Sequence, residues 1–289
     1  MKRVRFGARE VPDDRALVMA IVNRTRDSFY DGGATFTDEA ALAAVDRAVA
    51  DGADIVDIGG VRAGSKGEVV DAHEEARRVV PFVAQVRARH PDLVISVDTW
   101  RHEVGREVCR AGADLLNDTW AGADPKLAEV AAEFGVGIVC SHTGGLPPRT
   151  DPHRSRYTDV VASVVAELVS RAERMVAVGV PAEGVLIDPT HDFGKNTWHG
   201  LELLRRLDEL VGTGWPVLMA LSNKDFIGET LGADVGDRVD GTLAATAVAA
   251  WTGARVFRAH EVRQTRQALE MVASIAGTRT PTRVLRALA

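Results

Sequence analysis

Eight short, continuous apolar runs punctuate the chain and restrict its fold more than any other feature. They cover Leu17–Val22, Asp54–Ile58, Leu93–Val97, Asp114–Leu116, Val136–Val139, Val185–Ile187, Val217–Leu221 and Arg255–Phe257. Each is rich in Val, Ile and Leu without strict polar alternation, the pattern of parallel strands buried on both faces. Most are separated by segments of helical periodicity. In Thr37 to Asp51, Leu42, Val45 and Val49 share a face, and Asp71 followed by Glu74 is a capping-box pattern at the head of another helix. Helix ends read Asp51-Gly52-Ala53-Asp54, Ala111-Gly112-Ala113-Asp114 and Thr252-Gly253-Ala254-Arg255, with Gly135 and Gly179 in comparable places. There glycine supplies the left-handed cap and a strand follows at once. Eight strand–helix units predict an α/β fold, a closed (β/α)8 TIM barrel spanning 1–289 as a single domain. No G-x-G-x-x-G follows the first run, which weakens the dinucleotide-binding, doubly wound alternative.

Composition narrows the function classes. With 46% hydrophobic and 26% charged residues the chain reads as an ordinary globular protein. Its net charge of −6 provides no global basic field for nucleic acid or an anionic membrane. No apolar run approaches the roughly 20 residues of a membrane span, and the charged stretch Met1 to Arg15 lacks the apolar core of a secretory signal. Cys109 and Cys140 are expected to be buried free thiols in a reducing cytoplasm. Gly241 to Trp251 is nearly all small and apolar, which predicts a helix buried against the barrel, a second subunit or both.

In barrels of this kind the chemistry sits at the C-terminal ends of the strands. Following each run to its end yields Asn23, Asp57, Asp98, Asn117 with Asp118, His142, Asp188, Lys224, and Arg258 with His260. Any one of these is ordinary as a loop turn or helix cap. So many on one rim imply a ligand or metal, because carboxylates gathered without partners repel and desolvate one another. Asp188, Asp98 and Asn117 offer acceptors suited to a flat heterocycle with a guanidine-like edge. Lys224, Arg258 and His260 gather at the last two strands, where barrels often hold phosphate.

Seven segments carry a family resemblance: MAIVNRTRDSFYDGG at 19–33, DIGG at 57–60, ISVDT at 95–99, AGADLLND at 111–118, DPTHDFGK at 188–195, SNKDFIGETLG at 222–232 and DGTLAATAVAAWTGARVFRAHEV at 240–262. Together they run nearly the whole chain, which resembles the dihydropteroate synthases. Members of that family join a pterin bearing a CH2-pyrophosphate to p-aminobenzoate and release pyrophosphate. The resemblance implies pterin-binding roles for Asp98, Asn117, Asp188, Lys224 and Phe193, with Asp98 and Lys224 acting in catalysis. It implies pyrophosphate-binding roles for Asn23, Arg258 and His260, Mg2+ held at Asn23, and a cytoplasmic homodimer. Asp98 would stabilise the cationic pterin methylene by a preorganised charge.

The departures gather in the half of the site that should take p-aminobenzoate. Arg24 and Arg26 stand where the first loop usually has valine and proline, and Tyr30 replaces a serine. The usual Ser-Thr-Arg-Pro of the second loop is Val61-Arg62-Ala63-Gly64-Ser65-Lys66-Gly67. Ser-Arg-Lys becomes Ser222-Asn223-Lys224, Asp-Pro-Gly-x-Gly-Phe becomes Asp188-Pro189-Thr190-His191-Asp192-Phe193, and a methionine becomes Thr143. The pattern predicts a diverged paralogue with altered first and second loops. Three outcomes follow: a p-aminobenzoate transferase, an inactive pterin-binding or regulatory protein, or a transferase with another acceptor. Arg24, Arg26, Arg62 and Lys66 are the candidates for replacing the missing loop arginine.

Overall fold

The structure, a computed structural model, describes residues 3–25, 37–62, 68–150 and 156–286. Every expected run contributes a strand: β1 Leu17–Asn23, β2 Ile55–Gly59, β3 Val94–Asp98, β4 Leu115–Asp118, β5 Gly137–Ser141, β6 Val185–Asp188, β7 Leu218–Met219 and β8 Val256–Ala259. All neighbours pair in parallel, in the order β6-β5-β4-β3-β2-β1-β8-β7. A parallel bridge between Ile187 and Val217 joins the two ends and closes the barrel. β7 is shorter than its apolar run because Val217 belongs to that bridge, while Ala220 and Leu221 run on beyond the ladder.

The strands are wrapped by α1 Asp38–Ala50, α2 Ala72–Arg89, α3 His102–Ala111, α4 Lys126–Phe134, α5 Val160–Val178, α6 Thr197–Arg205, α7 Leu207–Gly212, α8 Asp225–Leu231, α9 Val239–Thr252 and α10 Val262–Ile275. The expected starts hold: Thr37 caps α1, and the Asp71 carboxylate accepts from the Glu74 N–H at 2.8 Å at the head of α2. Gly112 and Gly253 end α3 and α9 at φ 111° and 112°, a left-handed backbone that only glycine adopts at no cost.

The apolar runs are continuous because each strand faces two cores. Outward residues such as Val18, Val56, Val97 and Ile138 pack against the helices. Inward residues Leu17, Met19, Ile55, Val94, Leu115, Val139, Leu186, Leu218 and Val256 fill the lower barrel. A hairpin that the sequence pattern did not announce, Arg5–Phe6 with Arg9–Glu10, seals the bottom by inserting the buried Phe6 beside Val4. Two steps further along the same inward rows stand Asp57, Ser96, Asn117, Asp188 and Arg258. With a period of two, the residues that change the barrel interior from oil to polar groups lie directly above its plug.

Two expectations are refined. Cys109 and Cys140 are buried and free, and burial pushes both thiols up to about 12, so they are chemically quiet. α9 is not buried all round: Thr242, Thr246 and Ala249 face inward, while Val248 and Trp251 are exposed. No helix among the described residues is long and apolar enough to cross a membrane.

Candidate functional site

The floor of the open end is a linked set of buried polar groups. Arg258 donates to Asp57 at 2.6 Å and to Asp98 at 3.2 Å. Asp57 also accepts from Ser96 at 2.6 Å and from the Asn117 amide at 3.1 Å, and Thr119 donates to Asp98 at 3.0 Å. Burial pushes the Asp98 carboxyl up to about 7, with Arg258 pulling the other way and Asp57 adding to the rise. Asn117 Oδ1 is buried and accepts no hydrogen bond among the described residues. A buried acceptor left bare costs about 1–3 kcal/mol, so a donor is expected to arrive with a ligand.

Asp188 stands at the end of β6. Its Oδ1 accepts from the Thr190 N–H at 2.7 Å. Burial pushes this carboxyl up to about 6, opposed by Lys224, Lys195 and Arg258. The loop that follows is fixed from beneath by Lys195, which the sequence reading did not single out. Its buried ammonium lies 2.9 Å from His142 Nδ1 and donates to the carbonyls of His142 at 3.0 Å, Thr190 at 3.0 Å and Phe193 at 2.9 Å. Burial brings this lysine down to about 7. His142 is thus a post for Lys195, and burial followed by the Lys195 charge lowers it to about 4. Thr190, where the resemblance expects glycine, is held at φ 50°. A β-branched residue there is strained by about 1 kcal/mol or more, and its hydroxyl bonds back to the Asp188 carbonyl at 3.0 Å.

Above this loop, Phe193 meets the buried Trp120 edge-on at 4.5 Å between centroids. Trp120, missed in the sequence, follows Asn117 by three positions, and its indole N–H has no partner among the described residues. His191 stacks on Phe226 at 5.3 Å with both ring nitrogens buried and without a hydrogen-bond partner among the described residues, and burial brings its pKa down to about 3. Lys224 forms an ion pair with Asp192, the carboxylate standing where glycine was expected.

Asn23 reaches the rim by register, through Gly59, beside Asp98. A Cβ on Gly59 would lie 3.8 Å from Asn23 Oδ1 and 3.7 Å from Asp98 Cβ, so the glycine leaves a cradle between them. One amide oxygen suits Mg2+ only as an ion that keeps waters and substrate phosphates as its other ligands, and with that proviso the donor set fits. His260 continues from Arg258 beyond β8 and is held by its N–H on Ser222 Oγ at 3.2 Å. The grouping of His102, Glu103 and Asp124 lies elsewhere and has a local explanation, since Asp124 accepts from the His102 N–H at 2.9 Å and caps α3.

Several rim residues serve other ends. The Asp118 carboxylate caps its own turn, accepting from the N–H groups of Trp120 at 3.1 Å and Gly122 at 2.7 Å. Asn223, the replacement for arginine, turns away at φ 55° and donates to buried Glu261 at 2.8 Å, which Ser222 also reaches at 3.0 Å. Arg24 is buried, paired with Asp38, with its guanidinium 4.6 Å above the Phe82 ring. That pairing draws its charge toward Asp38 at the head of α1. Arg62 is described at the edge of the second loop, whereas Arg26, Tyr30 and Lys66 lie outside the described residues.

A closed (β/α)8 barrel with acceptors on its floor and a cationic far rim defines the class of pterin-binding barrels, and the chain belongs to the family described as pterin binding enzyme, whose model matches residues 19–260. Within it the chain is 63% identical over 285 residues to the protein named inactive dihydropteroate synthase 2 of Mycobacterium leprae, covering 97% of this chain and 98% of that one. It is 35% identical to the dihydropteroate synthase of Streptococcus pyogenes, over 92% of this chain and 97% of that one. The dihydropteroate synthase of Yersinia pestis, solved with a sulfonamide drug complex, superposes with a TM-score of 0.89 at 32% identity, covering 96% and 100% of the two chains. The chain is a diverged paralogue within the dihydropteroate synthase group.

Proposed function

We propose that the protein binds a pterin, in its CH2-pyrophosphate form, at the open end of the barrel, and that it condenses this with p-aminobenzoate weakly or not at all. The observation that carries the binding reading is the buried Asn117 Oδ1, without a hydrogen-bond partner among the described residues, at the same end of the barrel as the buried carboxylate of Asp188. A guanidine-like edge supplies the N–H donors that both acceptors call for. In this reading Asp98, Asn117, Asp188, Lys224 and Phe193 hold the pterin, and Arg258, His260 and Asn23 face the pyrophosphate. Asn23 would hold Mg2+ together with the pyrophosphate, and the ion would supply charge neutralisation of the leaving group when bound. In this reading Asp98 would face the cationic carbon; burial raises its carboxyl to about 7, and Arg258 opposes that rise and so favours the charged form.

The second half of the proposal rests on Asn223 and Arg24. Asn223 is turned into the Glu261 network and Arg24 into the Asp38 pair, so neither supplies the positive charge that p-aminobenzoate needs. The M. leprae relative, named inactive, supports the same reading. We also assign the protein to the cytoplasm, and to a homodimer using the exposed Leu231, Val248, Trp251, Met271 and Ile275 of α8, α9 and α10.

Equilibrium dialysis with pterin tests the binding half. Asp188→Ala, still folded by circular dichroism, is expected to lose about 100-fold in affinity, as the loss of a paired charge-assisted contact implies. Wild-type affinity in that variant would overturn the assignment. A strain lacking its own synthase tests the other half: expression of this chain should not restore growth without supplied folate products.

A further inference from the structure

The Lys224–Asp192 ion pair changes what the site can read. A lone ammonium presents donors only. With Asp192 beside it, the same edge presents a donor and an acceptor side by side. The acceptor is held in place by its backbone: Lys195 clamps the carbonyls of Thr190 at 3.0 Å and Phe193 at 2.9 Å, one on each side of the His191-Asp192 pair. Both partners remain reachable, with 23% of the Lys224 side chain and 31% of the Asp192 side chain exposed. Nothing in the floor network uses Asp192.

Pterin chemistry supplies the counterpart. If the guanidine-like edge is spent on Asp188 and Asn117, two edges of the bicycle remain, one carrying O4 and N5 and the other N1 and N8. In a fully oxidised pterin all four of these atoms are acceptors, so an incoming ring meets Asp192 lone pair to lone pair on either edge. Reduction converts N8, and at the tetrahydro level N5 as well, into N–H donors. A tetrahydropterin therefore presents an acceptor–donor edge in either orientation, complementary to Lys224 and Asp192 together.

We propose that Asp192 is a specificity-determining residue which, by pairing with Lys224, makes the site select tetrahydropterins over fully oxidised ones. This rests on the pterin-binding reading and adds the oxidation state of the ligand to it. A site built to accept a hydrogen bond rejects the analogue that cannot donate one, because its own polar group is left unpaired.

Calorimetric titration of the full chain under argon, with tetrahydropterin and with oxidised pterin, is the test. The wild type is expected to bind the reduced form about ten-fold more tightly, close to 1.4 kcal/mol. Asp192→Ala should shrink that preference to less than about three-fold, mainly by admitting the oxidised ring. Asp192→Asn keeps the shape of the side chain and should lie between the two, which covers any loss of folding in the alanine variant. Equal affinities in the wild type, or an undiminished preference in Asp192→Ala, would overturn the role of Asp192 and leave pterin binding standing. Absence of binding by both forms would overturn the pterin reading and this inference with it.

Discussion

At the scale of single residues, burial of charged groups in the candidate site costs the protein stability that a bound ligand would restore. Asp188 is the clearest case. Its ordinary value of 3.8 is raised to about 6 by burial. Between those values the folded chain keeps a proton that the unfolded chain has released, so stability falls as pH rises through this window and stays lower above it. Asp188→Asn has no such titration and can still accept from the Thr190 N–H. The variant is expected to match the wild type at about pH 3.5 and to exceed it by about 2 kcal/mol at about pH 8 in urea melts, while losing pterin. Equal stability at both pH values would contradict the buried, ligand-directed placement of this carboxylate. The residues that make up this floor were legible in the sequence because each ends an apolar run whose period fixes the face it takes. Partnerships across loops were not. Nothing local indicates that Lys224 meets Asp192, that Asn223 turns to Glu261 thirty-eight positions away, or that Trp120 closes on Phe193.

At the scale of elements, the β6–α6 connection works as a clamped unit rather than a loose loop. Lys195 ties it to the end of β5 through His142, and removing the ammonium takes a donor from three carbonyls, of which that of Thr190 keeps the Phe193 N–H at 3.3 Å. Lys195→Met is therefore expected to lower stability by about 2–4 kcal/mol and to raise amide exchange across 189–195. Unchanged exchange there would show that the clamp is not what fixes the segment. The N-terminal hairpin is a second such unit, and two-residue strands carry no periodic signal by which to find it. Its Phe6 requires Gly137: a Cβ at that position would stand 2.8 Å from the Phe6 ring and 2.7 Å from the Gly184 carbonyl. Gly137→Ala should cost about 1–3 kcal/mol in a thermal melt, whereas the same change at Gly212, which faces open space, should be near neutral.

At the scale of the whole molecule, the barrel order was readable from the eight runs because every strand is buried on both faces, while the surface roles were not. α9 reads as uniformly apolar, yet Trp251 is 62% exposed, and Leu231, Met271 and Ile275 are exposed on neighbouring helices. If this face joins two copies, Trp251→Asp should shift sedimentation from dimer to monomer; an unchanged dimer would place the contact elsewhere. In the proposed reading the molecule is a pterin site on a closed barrel in which Asn223 and Arg24 are tied to Glu261 and Asp38. Sequential calorimetry tests that account most directly. Pterin pyrophosphate with Mg2+ is titrated into the full chain, followed by p-aminobenzoate, with released pyrophosphate measured in parallel. The account predicts heat from the pterin, none from p-aminobenzoate, and pyrophosphate at the rate of buffer alone. Silence with the pterin, or heat from both ligands with pyrophosphate released above that rate, would contradict it.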